Sequence, residues 1–278
     1  MDAIRQMLAA GQLAEAISHA QDTLRSKPAA VDMRAALIEL LCLEGQLERA
    51  DEMLMSLAKY QPGWLAGAAN LRQLMRAQHS RMALVEGRLT DDVVATAGPA
   101  LEALLAINLN LANGDAAAAS RAAADLEAHR QCARFRVGDV EGDLRDCDDS
   151  LNGYFEGLGA DGHYYLWTWS DIRSIDFHPV STPVEAVWRR ADVELLDGRQ
   201  GEVFVPLTYS RSNSESEKLG RETDWQEHCE GLVTGLGQKL FLVGDDAISL
   251  DSVQRMERTD VEAAVTATEV AAETDGSN

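Results

Sequence analysis

Asp146-Cys147-Asp148-Asp149-Ser150 is the densest grouping of chemically capable side chains in the chain. Two carboxylates two residues apart are the Asp-x-Asp arrangement of phosphotransferases that work through an aspartate, so the chemistry on offer is phosphoryl transfer or hydrolysis using Asp146, Asp148 and a nearby histidine. That chemistry needs a buried strand to present the first aspartate, and the preceding Gly142-Asp143-Leu144-Arg145 is too polar to be one. The segment also fails as a calcium loop, because Leu151 stands where an EF-hand needs its sixth-position glycine. A helix cap or a solvated acidic turn is the expectation.

Other reaction centres are incomplete. Gly231-Leu232-Val233-Thr234-Gly235-Leu236-Gly237-Gln238-Lys239 has the wrong glycine spacing for a phosphate loop, and no Ser or Thr follows Lys239 to meet a magnesium ion. It reads as a sharp turn entering a strand. The dinucleotide fingerprint is absent, as is a Gly-x-Ser-x-Gly elbow, and His228-Cys229 are sequence neighbours whose side chains need not meet. The histidines form no His-x-x-x-His pair. Cys42, Cys132, Cys147 and Cys229 form no Cys-x-x-Cys pair, so they read as reduced thiols. No catalytic residue, cofactor or metal is expected. Tyr209, the polar loop Ser210-Arg211-Ser212-Asn213-Ser214-Glu215 and Glu222-Thr223-Asp224-Trp225 read as buried aromatics with hydrogen-bonded polar ends rather than as a site.

The elements that carry these residues begin with a repeat. Gly11-Gln12-Leu13-Ala14-Glu15-Ala16 and Gly45-Gln46-Leu47-Glu48-Arg49-Ala50 lie 34 residues apart, the tetratricopeptide period. Pro28 and Pro62 recur at the same offset, where the second helix of each unit should stop. The glycines permit a tight turn, and Ala16 and Ala50 allow paired helices to approach closely. Units occupy roughly 1–33 and 34–67; a less regular third includes a helix over 71–85, with Thr90 or Asp91 capping the next helix. A last helix pair, 101–112 and 116–130, turns at Asn113-Gly114-Asp115. Such units stack because one pair cannot bury its own apolar stripe, and the stack has a concave binding face.

After residue 130, short runs rich in aromatic and β-branched residues predict strands at 163–169, 172–177, 188–196, 202–207 and 239–243. Asp197-Gly198 predicts a hairpin. A mostly antiparallel, barrel-like or strongly bent sheet is expected, with short helices near 141–151 and 214–231.

The chain has 278 residues, 46% of them apolar, and a formal charge of −21. Binding nucleic acid or an anionic membrane depends on an excess of Lys and Arg, so neither is an expected partner. No apolar run is long enough to span a bilayer and no signal peptide opens the sequence, which points to the cytoplasm. Residues 259–278 form an acidic segment expected to be disordered.

The second half resembles the ImpE family, also called TagJ, accessory proteins of bacterial type VI secretion. The resemblance rests on Asp146-Cys147-Asp148-Asp149-Ser150-Leu151, Gly162-His163-Tyr164-Tyr165, Trp169-Ser170-Asp171-Ile172-Arg173-Ser174-Ile175 and Val187-Trp188-Arg189-Arg190-Ala191. It continues, in the same order, through Gly201-Glu202-Val203-Phe204-Val205-Pro206, Tyr209, Glu222-Thr223-Asp224-Trp225 and Gly235-Leu236-Gly237-Gln238-Lys239. Where the family tends to have an Arg-Tyr pair after the proline, this chain has Thr208-Tyr209.

The resemblance implies an α+β protein with tetratricopeptide-like repeats over 1–130, a β-rich ImpE-type domain over 131–258 and a tail over 259–278. It also implies a non-enzymatic adaptor that binds the N-terminal helix of the small sheath subunit, TssB, and so influences the disassembly ATPase ClpV. The repeat pattern places Arg5, Leu8 and Ala9, with the equivalent Glu39, Cys42 and Leu43, on the concave face, a mixed surface suited to an amphipathic helix. A charged residue at Leu8 or Leu43 is expected to weaken capture without unfolding the protein.

Overall fold

The computed structural model describes residues 2–60, 63 and 65–260. Helices α1 (Asp2–Ala9) and α2 (Leu13–Ser26) form the first pair, and α3 (Val31–Glu44) and α4 (Leu47–Tyr60) the second. The matched glycines do what the repeat requires: Gly11 and Gly45 take φ of +78° and +85°, the left-handed region that side chains resist. Ala16 and Ala50 are wholly buried at the helix contacts. Helix α2 stops before Pro28; Pro62 lies outside the described residues.

The third unit differs from the expectation. Helix α5 (Leu65–Val85) starts earlier, and Thr90 caps nothing: its hydroxyl donates to Ser80 Oγ. Instead the chain extends as β1 (Val93–Ala95), and α6 (Pro99–Ala112) opens after Gly98 with proline in its first turn, where the missing N–H costs nothing. Helix α7 (Ala116–His129) is capped by Asp115, which accepts from the Ala118 N–H.

The chain then forms β2 (Arg134–Val137), β3 (Val140–Asp146), β4 (Tyr154–Gly159), β5 (Tyr164–Thr168), β6 (Ile172–Phe177), β7 (Trp188–Leu195) and β8 (Gln200–Pro206). A four-residue helix, α8 (Glu215–Lys218), leads to β9 (Thr223–Cys229), β10 (Leu232–Gly237), β11 (Leu240–Val243), β12 (Asp246–Ser249) and β13 (Arg255–Arg258). Eleven strands make one curled sheet in the order β1-β5-β4-β8-β7-β6-β13-β2-β3-β11-β12, and β9 and β10 form a separate hairpin. Among the described residues every strand pairing is antiparallel except β1 with β5. The fold is thus α+β, with the Asp197-Gly198 hairpin joining β7 to β8 and Gly198 at φ +86°.

Three sequence expectations are corrected. The segment near 141–151 holds strand β3, not a helix: Gly142, Leu144 and Asp146 point inward while the polar Glu141, Asp143 and Arg145 alternate outward. The helix expected over 214–231 shrinks to α8, and the rest is β9, a strand so exposed on both faces that its composition gave no apolar phase. The glycine run at 231–239 is mostly strand β10 rather than a turn.

One continuous apolar core crosses from the helices to the sheet, joining Leu41, Leu74 and Leu104 with Tyr154, Leu158, Trp188 and Phe204. A second lies within the curl of the sheet, around Phe135, Trp169, Phe241 and Met256. The change at residue 130 is therefore a change of element type and not a break in packing.

Candidate partner-binding cleft and a closed ion cluster

The second half packs against the repeats at helix α3 and at the turn between α1 and α2. Glu39 accepts a hydrogen bond from the Val184 N–H at 3.0 Å, and Lys218 donates to the Glu44 carboxylate at 3.0 Å. Glu215 accepts from the Ala14 N–H and Arg221 donates to the Leu8 carbonyl. Burial raises the Glu39 carboxyl above its ordinary pKa, the Val184 bond opposes this, and neighbouring Glu185 adds to it.

The six residues expected on the groove divide accordingly. Arg5 and Ala9 are exposed and Leu8 is half-buried. Glu39 faces the second half, while Cys42 and Leu43, 4% and 6% exposed, are core residues rather than lining of an open groove. Burial also pushes the Cys42 thiol far above its usual range.

An open cleft of about 240 Å³ does remain beside them. Ile38 of α3, Leu57 of α4, and Leu71 and Leu74 of α5 form one wall; Val184 and Phe204 of the second half form the other. Glu39 and Glu185 also line it. A mainly apolar trough suits the apolar face of an amphipathic helix.

The acidic motif occupies a different environment from the solvated turn or helix cap expected of it. Asp146 and Asp148 are buried, and Asp146 ends a strand after all. Arg81 of α5 donates to Glu156 of β4 through Nε (2.7 Å) and Nη2 (3.1 Å), and to the Thr208 carbonyl at 2.9 Å. Tyr164 donates to the same carboxylate at 2.5 Å. Lys239 Nζ bridges Glu156 (2.6 Å) and Asp146 (2.9 Å) and lies 4.9 Å over the Tyr209 ring. The Tyr209 hydroxyl donates to Asp146 at 3.0 Å and accepts from the Leu240 N–H. Asp148 accepts from the Ser150 N–H and hydroxyl and from the Gly235 N–H.

Burial works against Glu156, yet Arg81 and Lys239 hold its carboxyl far below the usual range. Burial raises Asp146 and Asp148, against the pull of Lys239 on the first and of the Ser150 and Gly235 donors on the second. Lys239 is held above its ordinary value by Asp146 and Glu156 despite its burial. Such a cluster can order a junction, since each buried charge has a partner and each oxygen a donor. Turnover would need an approach, and the space beside Asp146, Glu156 and Lys239 has no room for a water molecule. None of the hydrogen bonds to either aspartate comes from a histidine; His228 bonds Thr234, and the Cys229 thiol donates to the Ala116 carbonyl.

Arg81, Glu156 and Lys239 carry this cluster; the sequence reading named Lys239 only at the end of the glycine run and missed Arg81 and Glu156. A signal existed for Arg81, which shares its helix face with buried Ala77 and Leu84, one turn away on either side. Tyr209 is buried as expected of it, but Trp225 is not: it is 39% exposed, with its ring centroid 5.9 Å from that of Tyr209. Among the described residues one group could hold a metal ion, His178 with Asp192 and Glu202 on the outer face of the sheet. No helix among them is long and apolar enough to cross a membrane.

Stacked helix pairs closed by a curled sheet define a tetratricopeptide-type protein fused to a strand-rich domain. A family model described as "ImpE protein" matches residues 138–257, and one described as "Tetratricopeptide repeat" matches residues 7–75. The chain is 26% identical over 258 residues to the type VI secretion system accessory component TagJ of Pseudomonas aeruginosa, covering 91% of this chain and 89% of that one. It is also similar to the X-ray crystal structure of protein VPA1032 from Vibrio parahaemolyticus, with TM-score 0.88 and 33% identity across 92% of this chain and 97% of that chain. The chain belongs to the ImpE/TagJ family.

Proposed function

We propose that this protein is a non-enzymatic adaptor of a type VI secretion system, working in the cytoplasm. It captures the N-terminal helix of the small sheath subunit, TssB, and thereby influences how the ClpV ATPase handles the sheath. The name of the Pseudomonas aeruginosa relative supports the system. The observation that carries the mode of action is the apolar cleft between α3, α4 and α5 and the Val184–Phe204 side of the second half, because it is open and lined mainly by apolar side chains together with Glu39 and Glu185. Apolar anchors supply the affinity. The closed ion cluster supports the non-enzymatic reading, since the residues best equipped for chemistry are consumed in structure.

Calorimetric titration with a peptide spanning the N-terminal helix of the small sheath subunit from the same organism tests this. Saturable one-to-one binding with a negative heat-capacity change is expected, the mark of apolar surface leaving water. Absence of heat, together with absence of competition at high peptide concentration, would sink the proposal.

A further inference from the structure

The geometry points to a surface metal site on the sheet, formed by His178, Asp192 and Glu202 and suited to zinc. Asp192 on β7 stands in register with Glu202 on β8 and with Asp176 on β6, so three carboxylates lie abreast across three adjacent strands. Like charges directly opposite each other destabilise a sheet unless a cation lies among them. Asp176 has one: Arg255 donates to both its oxygens at 2.7 and 2.8 Å. The other two are poorly served. Arg190 is shared, 3.5 Å from Glu202 and 3.9 Å from Glu185, and among the described residues Asp192 has only the His178 ring, with Nε2 and Oδ2 2.8 Å apart.

The three potential ligand atoms lie within 4.8 Å of one another. Their backbones are fixed. The His178 N–H donates to the Arg190 carbonyl, Arg189 donates to the His178 carbonyl, and β7 and β8 are paired throughout, so only side-chain rotation, of half-buried His178 and exposed Asp192 and Glu202, is needed to close the set. An imidazole nitrogen with two carboxylate oxygens matches the donor types zinc takes at about 2.0–2.2 Å. Hard cations such as calcium and magnesium prefer oxygen alone, and the imidazole tilts the site toward zinc. Three protein ligands leave a fourth position for water or for a donor from a docked protein. Ligands drawn from two strands and from the residue that follows a third leave no spaced motif, which is why the sequence showed none.

The test uses the full chain, stripped of metal with a chelator and titrated with zinc chloride against a chromophoric competitor. One equivalent is expected to bind, and His178→Ala and Glu202→Gln should each weaken binding about tenfold or more, with circular dichroism unchanged. Both positions lie at the surface, and if one variant misfolds the other still decides. Cobalt(II) in place of zinc should give visible bands without thiolate-to-metal charge transfer, which separates this site from Cys132 and Cys147. Absence of stoichiometric binding, binding indifferent to both substitutions, or thiolate bands would overturn the assignment.

Discussion

Arg81 and Glu156 lie 75 residues apart in sequence and meet as a two-pronged ion pair, each side chain 3% exposed, that ties helix α5 to strand β4. Lys239, the second cation on Glu156, extends the tie to the strand bearing Asp146. Arg81→Ala would leave Glu156 buried with half its compensation gone. A loss of about 3–5 kcal/mol is expected, read as a lowered urea midpoint. Arg76→Ala, on the same helix, removes an exposed pair with Asp92 and should leave the midpoint nearly unchanged.

The pH dependence is set by the directions of the shifts. Glu156 is held below its ordinary 4.5, so its ionised form contributes stability that is complete above that value and lost as pH falls through the depressed one. Asp146 and Asp148 are raised above their ordinary 3.8, so they oppose: their contribution is complete below 3.8 and lost as pH rises through the raised values. Urea midpoints measured from neutral pH to about pH 3 should therefore fall less steeply in Glu156→Gln than in the parent below 4.5. An identical acid profile in the two proteins would remove Glu156 from the account.

Gly235 is a further point of leverage. A Cβ there would overlap the Tyr209 ring, whose hydroxyl holds Asp146 and the Leu240 N–H. Gly235→Ala is expected to cost about 1–3 kcal/mol through overpacking, and displacement of Tyr209 should also change the near-ultraviolet circular dichroism. Gly201→Ala, where no atom lies within 4 Å of the added methyl, should be close to neutral on the same assays.

For partner capture, Leu71→Glu places a charge on the cleft wall at a half-buried position. Peptide affinity should fall by about 2 kcal/mol or more, the scale of an interface anchor, with helical content retained. Leu43→Asp should act differently from what the repeat pattern predicts: at 6% exposure it lowers stability first. Calorimetry and thermal unfolding on both variants separate the two effects.

The repeats were legible because their geometry is local. A glycine with positive φ and a small residue at a helix crossing leave marks at fixed spacing, and Gly11, Gly45, Ala16 and Ala50 behave as those marks imply. The β5, β6, β7, β8 and β11 strands were legible for the same reason, through alternation and a hairpin dipeptide. Strand β3 was not, because its outward residues are charged and its inward ones include Gly142 and a buried aspartate, a pattern indistinguishable from a polar turn without knowing that Lys239 waits opposite. Likewise Cys42 and Leu43 hold the positions that line an open solenoid; what changed their role was α8 and the Val184 turn, elements more than 130 residues downstream. Local periodicity says which way a side chain points and nothing about what arrives to meet it.

The short strand Val93–Ala95 leaves the helical half and joins the sheet alongside β5, and the Asp92 carbonyl accepts from the Tyr164 N–H. Each half thus completes the other's hydrogen bonding, and this bears on how such a gene changes. Recombination at the obvious seam near residue 130 would give one product a strand with no sheet and the other a sheet with a bare edge. Both would be poor substrates for selection. Lineages of this architecture should therefore inherit the two halves together, with variation accumulating in loops and rim residues instead of by exchange of modules.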